Sequence, residues 1–165
     1  MPSTPQVYKE IQLGELLPEV QKYKAGGWRF MQLCAATIEG GVEILYTFGM
    51  GSGTEVENLL LTVANGTHVP SITGFYGEAF VFENEMHDLF AVLVDGISID
   101  FKGNFYRVAV GAPMNPAAAK FLEEELAPGM ELVEELAAAD NEVEAPADEA
   151  VAVVEEMPAQ GGEEA

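Results

Sequence analysis

The segment WRFMQLCAATIEGGVEILYTF, residues 28–48, decides the fold. An apolar run from Trp28 to Ile38 is followed by the turn Glu39-Gly40-Gly41, after which the chain alternates in polarity. In that second half, one set of alternate side chains is apolar throughout, namely Val42, Ile44, Tyr46 and Phe48. Alternation with a period of two around a glycine turn predicts a β-hairpin with one buried face.

Elements on both sides of this hairpin complete a domain. Apolar residues at helical spacing predict an N-terminal helix over residues 14–25, and a third strand is expected over 57–64. A second helix is predicted from an apolar stripe about 100° wide, formed by Ala79, Phe82, Met86, Leu89, Phe90 and Leu93. A second hairpin is expected over 97–110, and a last helix follows up to about Leu126, with Asn115 as its cap and Pro116 in its first turn. Helices among mostly antiparallel strands predict an α+β fold.

Charge is distributed unevenly along the 165 residues. The chain has 28 acidic and seven basic residues, net −21, but residues 1–121 carry only −6, because residues 122–165 hold fifteen acids and no base. All 15 aromatic residues occur at or before Phe121. We therefore predict one α+β domain over residues 1–127 and an acidic low-complexity tail over 128–165. The tail has too little apolar surface to offset the entropy of ordering and is expected to be disordered.

This composition excludes several classes of function. The negative field would repel nucleic acid and anionic lipid surfaces, and no basic cluster offsets it. The longest apolar runs are far shorter than a membrane-spanning helix, and no secretory signal is recognised at the start, so a cytoplasmic location is expected. Cys34 is the single cysteine and lies in a predicted apolar strand, where it is interpreted as inert packing. The chain is therefore expected to carry no disulfide and no cofactor of its own.

The densest group of titratable side chains in the body is residues 83–88, Glu-Asn-Glu-Met-His-Asp. Glu83 and His87 are four residues apart on a predicted helix, so they could share a metal ion or a proton. One imidazole with carboxylates on a single helix is an incomplete metal site, and we favour a structural or contact role. The glycine-rich bend Gly49–Gly53 lacks the Lys-Ser/Thr of a phosphate-binding loop and is interpreted as a connection.

The motif residues of a known family recur in this region. The chain contains Val69-Pro70-Ser71 followed by a helix with Glu83, Glu85 and Asp88, a pattern that resembles the 30-kDa subunit family of respiratory complex I, the C subunit of NADH:quinone oxidoreductase. The family pattern is a "vPS" strand and a helix reading E-R-E-x-x-D-x-x-G. Here Asn84 replaces the arginine and Ala91 replaces the glycine. The resemblance extends over about residues 10–110.

Within that family the chain is most similar to the D subunit of Ech-type energy-converting membrane-bound [NiFe] hydrogenases. Members of the quinone branch continue with a Gly-His-Pro segment and a basic stretch, whereas this chain reads GISIDFKGNFYR over residues 96–107. The resemblance implies a non-catalytic subunit, peripheral on the cytoplasmic face of the membrane. Its partners would be the large subunit with the [NiFe] centre and the small subunit with [4Fe-4S] clusters, with ferredoxin as electron donor, hydrogen as product and ion translocation in other subunits.

The same resemblance suggests where the chain meets its partners. The implied subunit-interface residues are those of the family motif together with His87, namely Pro70, Ser71, Glu83, Glu85, His87 and Asp88. Three alternatives remain open: a subunit of a quinone-reducing complex I, a stand-alone metal-dependent enzyme that uses Glu83 and His87, and an acidic mimic or chaperone that acts through the tail.

Overall fold

The structure, a computed structural model, describes residues 6–51 and 55–124. The helices are α1 (Leu16–Ala25) and α2 (Phe80–Phe90), each preceded by a short 3-10 turn, and residues 119–124 are also helical. The strands are β1 (Gln6–Ile11), β2 (Arg29–Ile38), β3 (Gly41–Met50), β4 (Glu55–Ala64), β5 (His68–Pro70) and β6 (Leu93–Asp95). The predicted α+β class is confirmed.

Four strands form the main sheet in the order β1-β4-β3-β2. β3 pairs antiparallel with both β2 and β4, and β1 joins the far edge parallel to β4. The predicted hairpin and third strand are therefore confirmed. Gly41 is required at the start of β3, because a Cβ atom there would lie 2.2 Å from the Val63 carbonyl oxygen.

The apolar face of the sheet and α1 form the core. The alternating residues of β3 are buried as predicted, and α1 adds Leu16, Val20 and Tyr23. The Tyr23 ring stacks on Phe48 at a centroid distance of 4.5 Å, and Trp28 meets Tyr23 edge-on at 5.3 Å. Side-chain burial of this kind is the main source of stability in a small domain.

The second predicted hairpin is wrong. None of residues 97–110 forms a strand; instead β6 pairs in parallel with β5, three residues each. The helix predicted over 79–93 ends at Phe90, because Ala91 adopts a left-handed conformation with φ of 54° and its N–H donates to the His87 carbonyl oxygen. Ala91 thus ends the helix at the position where the family pattern has glycine, the residue best suited to that conformation.

Three smaller differences separate the structure from the sequence-based expectations. Asn115 stands at the N-cap position and Pro116 follows it in the first turn, as predicted, but the Asn115 side chain makes no capping bond. It donates instead to Asn65 Oδ1 and to the Phe90 carbonyl oxygen. Cys34 is exposed rather than packed inside. The N-terminal helix is preceded by a strand, β1, that was not predicted. The predicted tail over 128–165 and the boundary at 127 lie outside the described residues.

Candidate functional site

Glu83 is the centre of the polar cluster on α2. Its side chain is 1% exposed, with Oε1 accepting from the Ile72 N–H at 2.8 Å and Oε2 accepting from the Ser71 hydroxyl at 2.7 Å. The Ser71 and Thr73 hydroxyls are 2.6 Å apart, and Thr73 Oγ1 accepts from the Ser98 N–H. One carboxylate therefore links α2, the turn after β5 and the segment that follows β6.

Asn84 holds the next part of that segment. Its side-chain amide donates to the Ile99 carbonyl oxygen at 2.8 Å and accepts from the Phe101 N–H at 2.8 Å. The same NH₂ group donates to the Phe80 carbonyl oxygen within α2. A side-chain amide carries one acceptor and a donor pair, so it can substitute for a neighbouring peptide group. The Asn84 side chain thus provides the hydrogen-bond donor and acceptor that a neighbouring strand would otherwise provide to the backbone of Ile99 and Phe101.

Asp88 completes the series one turn further along α2. Its Oδ2 accepts from the Tyr106 N–H at 2.7 Å, and its Oδ1 lies 3.1 Å from His87 Nδ1. The Tyr106 hydroxyl donates to Glu85 Oε2 at 2.9 Å on the surface. Side chains of α2 therefore fix the segment 97–106 at its middle and at its end, without any strand pairing.

The predicted apolar stripe of α2 does face the core, with Ala79 and Met86 buried and Phe82 and Phe90 packed against it, but the polar flank of the helix is buried as well. Glu83, Asn84, His87 and Asp88 are buried, whereas Val81 is exposed and Phe82, Leu89 and Phe90 are only partly buried. The pKa of Glu83 is raised because burial disfavours the carboxylate, although its bonds from Ser71 and Ile72 oppose that shift. Burial, with the nearby Glu83 carboxylate as a smaller contribution, raises the pKa of Tyr46.

The predicted interface residues fall into two groups. Ser71, Glu83, His87 and Asp88 belong to the internal network, and Pro70 pairs with Asp95 between β5 and β6. Glu85 is partly exposed and meets Tyr106 at the surface. The contact role of these residues stays a prediction.

The pairing of Glu83 with His87 in a shared metal site has no support in the geometry. The Glu83 oxygens bind the turn at residues 71–72, and His87 is directed towards Asp88. Within residues 6–51 and 55–124, no group of three or more His, Cys, Asp or Glu side chains is arranged to hold a metal ion.

Sequence reasoning missed Asn84, Thr73 and Tyr106 as members of the network. Asn84 carried one usable signal, because asparagine is a poor helix former and sits at the centre of a strong helical pattern. Nothing in the sequence indicated that the partners of Asn84 and Asp88 lie 15 to 18 residues further along the chain.

The segment that α2 holds presents apolar side chains to solvent. Ile99, Phe101 and Tyr106 are between 41% and 52% exposed, and Phe105 contacts both of the other aromatic rings at centroid distances of 5.2 and 5.0 Å. We call residues 97–107 the aromatic segment. None of the helices in the part of the chain that the structure describes has the length and apolar character needed to cross a membrane.

Among solved structures, this chain is similar in fold to a chain of the membrane-bound sulfane sulfur reductase (MBS), an archaeal respiratory membrane complex. The TM-score is 0.55 at 15% sequence identity, and the match covers 61% of this chain and 63% of that chain. At this identity the likeness shows a shared fold. No family model and no curated protein sequence matches the chain.

Proposed function

We propose that this chain is a non-catalytic subunit of a membrane-bound respiratory complex, where it braces neighbouring subunits. The observation that carries the proposal is that the polar side chains of α2 form hydrogen bonds within the chain. Glu83, Asn84 and Asp88 are all bonded to backbone groups of the chain itself, which suits a rigid frame. The fold shared with a chain of an archaeal respiratory complex supports the same assignment.

The subunit contact is proposed to lie on the aromatic segment and on Glu85 beside it. A contact surface that is already ordered loses less entropy on binding, and exposed aromatic residues are typical anchors of protein interfaces. In this arrangement Ser71, Glu83 and Asp88 do not contact the partner; their buried hydrogen bonds fix the conformation of the aromatic segment. They are positioning residues of the interface, and Pro70 and His87 belong to the same framework.

The particular complex is proposed to be an energy-converting [NiFe] hydrogenase. The family resemblance and the sequence of residues 96–107 support a hydrogenase. The similarity in fold to a chain of MBS favours a sulfane sulfur reductase as the second candidate. In the hydrogenase the chain would pack on the [NiFe] large subunit, next to the small subunit with its [4Fe-4S] cluster, on the cytoplasmic face of the membrane. Ferredoxin would be the electron donor, and this chain would hold no cofactor.

Affinity purification of the tagged chain from detergent-solubilised membranes of its native cells tests the proposal. We expect a fixed-stoichiometry complex that contains a nickel-bearing large subunit and an iron-sulfur small subunit. A complex without nickel that reduces sulfane sulfur would select the second candidate, and one that reduces quinone would select the complex I branch. Recovery of the chain alone with one bound metal per chain would overturn the proposal in favour of an enzyme that uses Glu83 and His87.

Paired variants then locate the contact. Phe101→Ala removes an exposed ring from the aromatic segment, and Val7→Ala removes an exposed apolar side chain from β1. We expect the first variant to lower the yield of assembled complex at unchanged thermal stability and the second to leave it unchanged. Glu83→Ala and Asp88→Ala should also weaken assembly, because they release the segment. Equal yields for the Phe101 and Val7 variants would place the contact elsewhere.

A further inference from the structure

The basic residues of the chain occur in two groups that are far apart in sequence. Residues 30–101 contain ten acids and no lysine or arginine, so every base precedes or follows this range. The second group is Lys102, Arg107 and Lys120, and the range 101–122 that contains it has no acid at all. Positive charge is therefore concentrated in a stretch that begins in the aromatic segment, although the chain as a whole is strongly acidic.

Lys102 and Arg107 have no charged or aromatic partner in the part of the chain that the structure describes. Both are exposed, and neither belongs to any of the ion pairs within residues 6–51 and 55–124. Four other bases do have a partner, either Glu19 or an aromatic ring: Lys9, Lys22, Lys24 and Lys120. The carboxylates beside the pair are already bonded, because Asp100 accepts from the Lys102 N–H and Glu85 from the Tyr106 hydroxyl. The two cations are therefore available to a group outside the chain.

Lys102 also occupies a backbone position that disfavours lysine. Its φ is 49°, that of Gly103 is 76°, and the Asn104 N–H donates to the Phe101 carbonyl oxygen at 3.0 Å, which closes a tight turn. Glycine, asparagine and aspartate are the usual residues in such a turn. Side chains of Asp100 and Asn104 hold the Lys102 N–H and C=O, so the turn uses the backbone of this residue and not its side chain. The lysine thus costs conformational energy and returns no contact within the described residues.

We propose that Lys102 and Arg107 bind carboxylates of an acidic patch on the partner subunit that covers the aromatic segment. The inference rests on the proposed function and adds the chemistry of the partner's surface. Lys102 directly follows Phe101, Arg107 directly follows Tyr106, and Phe105 contacts both rings, so the two cations border one apolar patch. Aromatic anchors bordered by charged residues are typical of protein interfaces, in which the charges select the partner.

Two other occupants would also bring carboxylates to this surface, namely a second copy of the chain and its own residues 128–165. Residues 128–165 contain no aromatic residue that could cover exposed rings. A second copy would leave the chain without this contact to the rest of the complex. A partner subunit with both apolar and acidic groups satisfies the rings and the charges together.

Carbodiimide cross-linking of the complex purified from detergent-solubilised membranes identifies the occupant. The reagent joins an amine to a carboxylate that it touches, so Lys102 Nζ should be recovered joined to an aspartate or glutamate of a partner subunit. The pair of Lys22 with Glu19 is the internal control. An unlinked Lys102 in a sample in which Lys22 is linked to Glu19 would overturn the inference. Links from Lys102 only to acids of this chain, in the same or a second copy, would overturn the choice of partner.

Charge-removing variants separate binding from folding. Lys102→Asn suits the turn better than lysine, so the melting temperature of the isolated full-length chain should stay the same or rise. Combined with Arg107→Gln, it should lower the yield of complex by at least about threefold, and the remaining yield should depend less on added salt. Lys102→Arg keeps the charge and should keep the yield. Arg29→Gln, which removes an exposed base from β2, is the matched control and should have no effect.

The outcomes of these variants distinguish the inference from the proposed function. Normal assembly of the double variant, or a lower melting temperature for Lys102→Asn, would contradict the inference and leave the proposed function standing. Failure of the unmodified chain to co-purify with any other subunit would overturn both.

Discussion

Strands β2 to β4 and the aromatic segment satisfy their backbone hydrogen bonds in opposite ways. Each of the three strands pairs with its neighbour over most of its length, so no single side chain decides the pairing. The aromatic segment instead relies on four side-chain contacts, made by Thr73, Asn84 and Asp88. Two parts of one domain can therefore differ greatly in how many side chains specify their conformation.

This difference has an energetic consequence. A hydrogen bond between backbone groups survives any side-chain substitution that keeps the strand, whereas one made by a buried side chain is lost when that residue changes. Substitutions in the sheet should therefore act through packing and affect the whole domain. Substitutions on the polar side of α2 should act on one segment first.

Phe48→Ala should have the largest effect on stability. Phe48 is fully buried and contacts Tyr23, Phe30 and Tyr76, so truncation leaves a cavity among aromatic rings. We expect the free energy of unfolding to fall by about 3–5 kcal/mol, measured by urea denaturation. Protection from hydrogen exchange should fall throughout the sheet. A loss below about 1 kcal/mol would show that this core does not stabilise the domain as a unit.

Asn84→Ala should come second and should act locally. The substitution leaves the Ile99 carbonyl and the Phe101 N–H without their protein partners, at a cost of about 2 kcal/mol. Amides of residues 98–106 should exchange faster, while those of β3 stay protected. Thr62→Ala, an exposed change on β4, is the matched control and should alter stability by less than about 0.5 kcal/mol. Uniform loosening of the whole domain by Asn84→Ala would remove the distinction between the two regions.

The parts of the fold that the sequence predicted correctly are those determined by residues close together along the chain. The buried alternation of β3 and the two-residue turn at Glu39 and Gly40 reflect neighbours along the chain, so the hairpin was predictable. β1 escaped prediction because five of its six residues are exposed at the edge, which leaves no alternation to detect.

The candidate site was only half predictable, for a related reason. The sequence indicated that α2 exists and that its polar residues matter. Helical periodicity predicts that carboxylates face water, but the structure buries Glu83 and Asp88, because their donors come from the turn at 71–72 and from Tyr106. Alternating Ile97, Ile99 and Phe101 suggested a strand for the same reason, since the side chains that replace strand pairing are distant in sequence.

A third, smaller effect should appear in the pH dependence of stability. The pKa of Glu83 is raised above its ordinary value of 4.5, chiefly by burial, so the folded chain holds a proton that the unfolded chain releases. The stability due to this proton is complete below the ordinary pKa and is lost as the pH rises through the raised one. Glu83→Gln has the same shape and does not titrate, so its stability relative to the unmodified chain should increase over that pH range. Urea denaturation of both proteins from about pH 4 to about pH 8 measures the difference, and parallel curves would contradict it.

Lys22→Ala should have the smallest effect, because its charge pair lies outside the core. Lys22 Nζ is 2.5 Å from Glu19 Oε1, and its side chain is 69% exposed. The two lysines, Lys22 first and then Lys9, lower the pKa of Glu19, so the stabilisation is present above the ordinary pKa of a glutamate and is lost as the pH falls through the lowered one. Surface pairs of this kind contribute about 0–0.5 kcal/mol, and added salt should abolish the difference between Lys22→Ala and the unmodified chain. A loss as large as that of Asn84→Ala would mean that surface charge pairs specify this part of the fold as strongly as the buried network specifies the aromatic segment.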